Sequence, residues 1–123
     1  MNEVKEKWGD TAAYAEYEKK SAGYGDDKFA ALSAQMMKIF DRFAWCRRNH
    51  AIPECDEAQM LVQELQDFIS ENYYTCTDEI LAGLGKMYVC DERFKKSIDV
   101  SGEGTAEFVS RAIEYKSRRV DTP

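Results

Sequence analysis

Four cysteines, a single histidine and 23 carboxylates are the groups in this 123-residue chain that could do chemistry. Cys46, Cys55, Cys76 and Cys90 are separated by 9, 21 and 14 residues. No C-x-x-C pair exists, so neither a zinc ribbon nor a thioredoxin-type motif can be drawn. Two disulfides are arithmetically open, but a cytoplasmic chain with its own core needs none, and reduced, mostly buried thiols are expected. One histidine excludes sites that need two imidazoles, and with them most His-rich zinc and di-iron chemistry. His50 follows Arg47-Arg48-Asn49 at a helix C-terminus, where an imidazolium favours capping over a haem ligand's place on an apolar mid-helix face. Pairs such as Glu16/Glu18, Asp26/Asp27 and Asp91/Glu92 fall at exposed or capping positions. No Ser/His/Asp set, phosphate-cradling glycine loop or Cys–His pair can be argued from spacing. The residues describe a binding module and not an enzyme, with no metal site and no cofactor.

Two other features invite a ligand. Gly83 and Gly85 sit inside a helical pattern, each costing roughly 1 kcal/mol relative to alanine. Close helix packing would explain them, and so would room for a ligand: Gly83 lies seven residues after Cys76 and three after Ile80, on a shared face. Aromatic residues divide likewise. Phe29, Phe40, Phe43, Phe68 and Phe108 fall on helical stripes and read as core. Trp8, Tyr14, Tyr17, Tyr24, Tyr73 and Tyr74 do not extend those stripes, and their flat apolar area with a polar handle suits a binding surface.

The elements that must position these groups are helical. Only Pro53 and Pro123 interrupt the chain, and no hairpin signal lies between alternating apolar runs. The expected fold is all-α, with about five to six helices. The first, Thr11 to Ser21, follows a candidate Asp10 cap and has a thin apolar face, too weak to hold a helix shorter than about 12 to 15 residues alone. The second runs from Asp26 to about Asn49, with Phe29, Leu32, Met36, Ile39, Phe40 and Phe43 at spacings of 3, 4, 3, 1 and 3. Asp56 is the expected cap of a third, striped by Ala58, Leu61, Val62, Leu65, Phe68 and Ile69. A fourth runs from about Thr77 to Val89 with Ile80, Leu81, Leu84, Met87 and Tyr88 inward. A short piece after Asp91 and a last helix from Thr105 to about Arg119 complete the set. A net charge of −6 opposes direct nucleic-acid contact. No apolar run approaches the roughly 18 to 20 residues of a membrane helix. The opening MNEVKEKWGD resembles neither a secretory signal nor a transit peptide, so the expected compartment is the cytoplasm.

The stretch Asn72-Tyr73-Tyr74-Thr75-Cys76 through Leu84-Gly85-Lys86-Met87-Tyr88-Val89-Cys90-Asp91-Glu92-Arg93-Phe94 resembles the TipAS antibiotic-recognition domain, the effector-binding part of a subset of MerR-type transcription activators. The opening Val4 to Tyr14 and the closing Phe108 to Ile113 are similar too. The resemblance implies a compact, globin-like fold without haem that binds bulky, mostly apolar antibiotics such as thiopeptides. It also implies a division into a mobile N-terminal flap, residues 1–24, and a helical ligand-binding core, residues 25–123. Trp8, Tyr14, Tyr17, Phe40, Tyr73, Tyr74, Cys76, Ile80, Gly83 and Met87 are the expected ligand-binding residues. Where the family captures thiopeptides covalently, a cysteine seven residues after the first attacks a dehydroalanine of the drug. This chain has Gly83 there and Leu81 at the family's histidine, so non-covalent binding is implied. The chain would act as a drug-sequestering protein or as the sensor of a longer regulator; the alternative is a protein–protein or homodimerisation module using the same aromatic cleft.

Overall fold

In a computed structural model the described residues are 12–121, with side-chain surroundings given for 15–118. They form six helices and no strand: α1 (Ala12–Ser21), α2 (Asp26–Arg48), α3 (Asp56–Asn72), α4 (Asp78–Cys90), α5 (Glu92–Asp99) and α6 (Thr105–Asp121). The all-α expectation holds. The expected Asp10 cap, Trp8 and most of the opening segment lie outside the described residues, as do the surroundings of the Tyr14 side chain.

α2 and α3 form an antiparallel hairpin whose turn is set locally. Asn49 caps α2, His50 takes the left-handed conformation at φ 63°, and Ala51 N–H donates back to the Cys46 carbonyl at 3.0 Å. This is a Schellman ending with a non-glycine residue at its left-handed position. The capping role expected of His50 falls to Asn49. At the start of α3, Cys55 and not Asp56 is the cap: its Sγ accepts from Ala58 N–H at 3.4 Å, while Asp56 and Glu57 occupy the first turn, where negative charge suits the dipole. Thr77 caps α4 and Asp91 caps α5 through their side-chain oxygens.

The expected stripes converge on one core. Phe43, Leu61, Val62, Leu65, Leu81, Val109 and Ile113 are almost wholly buried; α4 packs along α6, and α6 also packs on α2 and α3. Phe29 and Phe68, read as core from their periodicity, are only half-buried. Each stands at an edge of its stripe and meets a tyrosine instead, Tyr24 and Tyr73 respectively. All four cysteines are free thiols; Cys46 and Cys76 are buried, Cys55 is partly covered and Cys90 is exposed, fewer buried than expected.

The two helical glycines have different reasons. A Cβ at Gly85 would lie 3.0 Å from Ile113 Cγ2 and 3.2 Å from its Cβ, so its absence lets α4 and α6 approach. A Cβ at Gly83 would meet nothing within 4 Å. Gly83→Ala should therefore raise stability by about 1 kcal/mol through helix propensity. Gly85→Ala should lower it by about 1 kcal/mol despite the same gain, because the new methyl would press on the buried Ile113 side chain. Urea unfolding of the two variants measures both.

Candidate functional site

Several of the candidate residues gather around the five-residue link between α3 and α4, Tyr73 to Thr77. Irregular backbone must find hydrogen bonds outside a helix ladder, and here side chains supply them. Ser70 Oγ accepts from Cys76 N–H at 3.0 Å, and Gln66 Nε2 donates to the Cys76 carbonyl at 2.7 Å. From α1, the Glu16 carboxylate accepts from Thr75 N–H at 2.7 Å and from the Thr75 hydroxyl at 2.9 Å.

α1 is tied to this junction almost entirely by side chains. Lys20 Nζ donates to the Ser70 carbonyl at 2.6 Å, and the Tyr24 hydroxyl, just past α1, donates to the Asn72 carbonyl at 2.7 Å. The Tyr17 ring stacks on Tyr73 with centroids 6.1 Å apart, and Phe68 stands edge-on to the other ring at the same separation. Burial raises the Tyr73 hydroxyl above its ordinary value. A helix too weak to stand alone is held by one aromatic stack and a bracket of polar contacts.

The predicted ligand residues fall into three groups. Tyr17 and Tyr73 meet in the stack, half-buried at the surface. Ile80, Gly83 and Met87 share one face of α4, with Ile80 and Met87 half-buried against the core and Gly83 exposed. Phe40, Tyr74 and Cys76 instead lie within the core, at 3%, 7% and 3% exposure. Phe40 packs edge-on against Tyr88 with centroids 5.9 Å apart. Tyr74 was expected on a binding surface, but its ring fills core space beside Cys76 and Tyr88. Burial pushes the Cys76 thiol up to about 11; Lys116 pulls it down and Asp78 pushes it up by less. At neutral pH it is a protonated, buried thiol, poorly suited to nucleophilic attack. Among the described residues no group of three or more potential ligands could hold a metal ion.

Sequence reasoning missed the polar half of this site. Gln66 had a signal: it is the one polar residue inside the α3 apolar stripe, between Leu65 and Ile69. Glu16 had none, because its partner Thr75 is 59 residues away.

The family model for the TipAS antibiotic-recognition domain matches residues 1–116. This chain belongs to that family. It is 38% identical over 112 residues to the HTH-type transcriptional activator mta of Bacillus subtilis, covering 91% of this chain and 42% of the relative. It is 31% identical over 111 residues to the HTH-type transcriptional activator TipA of Streptomyces coelicolor, covering 90% and 44%. The chain thus spans less than half the length of these relatives. A solved structure of Streptomyces lividans TipAS in complex with the thiopeptide antibiotic nosiheptide superposes with a TM-score of 0.86 at 30% identity, over 99% of this chain and 85% of the other. Among the described residues no helix is long and apolar enough to cross a membrane.

The Thr75 N–H and hydroxyl hold the Glu16 carboxyl below its usual range, with Lys20 adding to the effect. A carboxyl that titrates lower when docked than when free favours docking above the free value of 4.5, and that contribution disappears as pH falls through the lowered one. The Thr75 amide should therefore exchange faster with solvent as pH drops below about 4.5, after correction for intrinsic rates. Glu16→Gln should abolish this step. Amide exchange followed by NMR from pH 6 to 3 measures it.

Proposed function

We propose that this chain recognises bulky, mostly apolar antibiotics of the thiopeptide class and holds them reversibly, by binding and not by catalysis. The observation that carries this reading is the near-complete superposition on a domain solved with nosiheptide bound. The half-buried Tyr17–Tyr73–Phe68 stack and the open α4 face at Gly83 support it, since rigid aromatic area beside a missing side chain suits a large apolar guest. Trp8, Tyr14, Tyr17, Tyr73, Ile80, Gly83 and Met87 contact the ligand, and Phe40, Tyr74 and Cys76 back that wall from inside the core. Residues 1–24 close over the ligand, with the docking of α1 on the α3–α4 link as the fixed end of that flap. A glycine at 83 and a protonated Cys76 favour non-covalent capture.

In the cell the domain works in the cytoplasm, as the sensor of a longer transcription regulator or as a sequestering protein, and its charge of −6 keeps it from contacting nucleic acid itself. The competing reading is a homodimer docked through the same aromatic surface. Light scattering separates the two: a concentration-dependent dimer dispersed by Tyr73→Ala would favour that reading.

Nosiheptide should form a one-to-one complex under native mass spectrometry and raise the melting temperature. Denaturation should return the unmodified protein mass, and Tyr73→Ala should weaken binding by about tenfold or more. Absence of binding to nosiheptide and to a thiopeptide panel would overturn the reading. A mass adduct surviving denaturation, at the exposed Cys90 for instance, would overturn its non-covalent part.

A further inference from the structure

Gln66 is one of two buried polar side chains among the described residues, and every polar atom of its amide is engaged. Its Nε2 donates to the Cys76 carbonyl at 2.7 Å and to Asp78 Oδ1 at 3.0 Å. Its Oε1 accepts from Lys116 Nζ at 2.5 Å, and the same ammonium reaches Asp78 Oδ1 at 3.2 Å. Three helices meet here: α3 gives Gln66, α4 gives Asp78 and α6 gives Lys116. Lys116 donates only, so it fixes which end of the amide faces it. Turned the other way, Gln66 would set its oxygen against the Cys76 carbonyl, acceptor against acceptor.

The group lies on the side of α4 facing α6, beside a recess lined by Asp78, Leu81, Ile113, Lys116 and Ser117 that is too small for a water molecule. Gly83 and Met87 lie on another face of α4. Gln66 thus acts on the ligand wall only through the main chain. One helical turn along α3, Ser70 holds the Cys76 N–H, so both main-chain polar groups of Cys76 are gripped from α3.

We propose that Gln66, oriented by Lys116, is a positioning residue for antibiotic recognition: it sets the Tyr73–Thr77 link, and with it the Tyr73 ring and the start of α4, from behind the wall. This rests on the antibiotic-binding reading. Gln66→Leu keeps the bulk and removes the amide, and Lys116→Met, at a partly exposed position, takes away the donor that anchors Gln66 Oε1, so the amide is held only through Nε2. Each should weaken nosiheptide binding about tenfold in titration calorimetry and speed exchange of the Cys76 amide about tenfold. The double variant should bind no more weakly than Gln66→Leu alone, because Lys116 acts through Gln66. Val109→Ala, in the core away from the link, should lower the melting temperature without changing affinity. Wild-type affinity and exchange in both single variants, additive losses in the double variant, or an equal affinity loss in Val109→Ala would overturn the proposal. Wild-type protein that takes up no nosiheptide would overturn the reading beneath it, and with it the ligand role of Gln66, whatever the exchange rates show.

Discussion

The architecture near the site depends on how five residues of irregular chain, Tyr73 to Thr77, are held. A link this short between two packed helices has main-chain groups that no helix ladder can satisfy, and leaving one buried without a partner costs roughly 1–3 kcal/mol. Gln66 and Ser70 answer for Cys76 from the core side, and Glu16 answers for Thr75 from the outer side. The aromatic rings on the link then have a fixed base. Tyr74 turns inward and becomes core, while its neighbour Tyr73 turns outward and becomes the platform on which Tyr17 lies.

The same link joins a strong part of the molecule to a weak one. α2, α3, α4 and α6 share a continuous apolar interior and close packing, with Gly85 letting α4 and α6 touch. α1 shares little of that interior. It is held by the Glu16, Lys20 and Tyr24 contacts and one ring stack, mostly at partly exposed positions where ion pairs contribute little. A segment held this way sits at the low end of local stability, where binding elements are commonly found.

Much of this was legible from residue order alone. The stripes of α2, α3, α4 and α6 announce themselves because burial follows the 3.6-residue period, and Leu32, Ile39, Phe40, Phe43, Leu61, Val62, Leu65, Leu81 and Val109 are buried as the spacing implied. Stripe edges were less legible: Phe29 and Phe68 carry the right spacing, yet whether an edge residue is covered depends on a tyrosine from another segment. The caps near Pro53 were misjudged because cysteine is an uncommon cap and the turn needed a left-handed residue at His50, neither of which composition signals. Of the candidate site, the Tyr17 and Tyr73 rings could be named from the sequence and their polar surroundings could not, since the Glu16–Thr75 and Gln66–Lys116 contacts join residues 59 and 50 positions apart.

Gly83 stands on a helix whose opposite side is cemented to α6, while a Cβ at Gly83 itself would meet no neighbouring atom within 4 Å. A side chain grown from that position would therefore be shaped by what lies outside the protein and hardly at all by the scaffold.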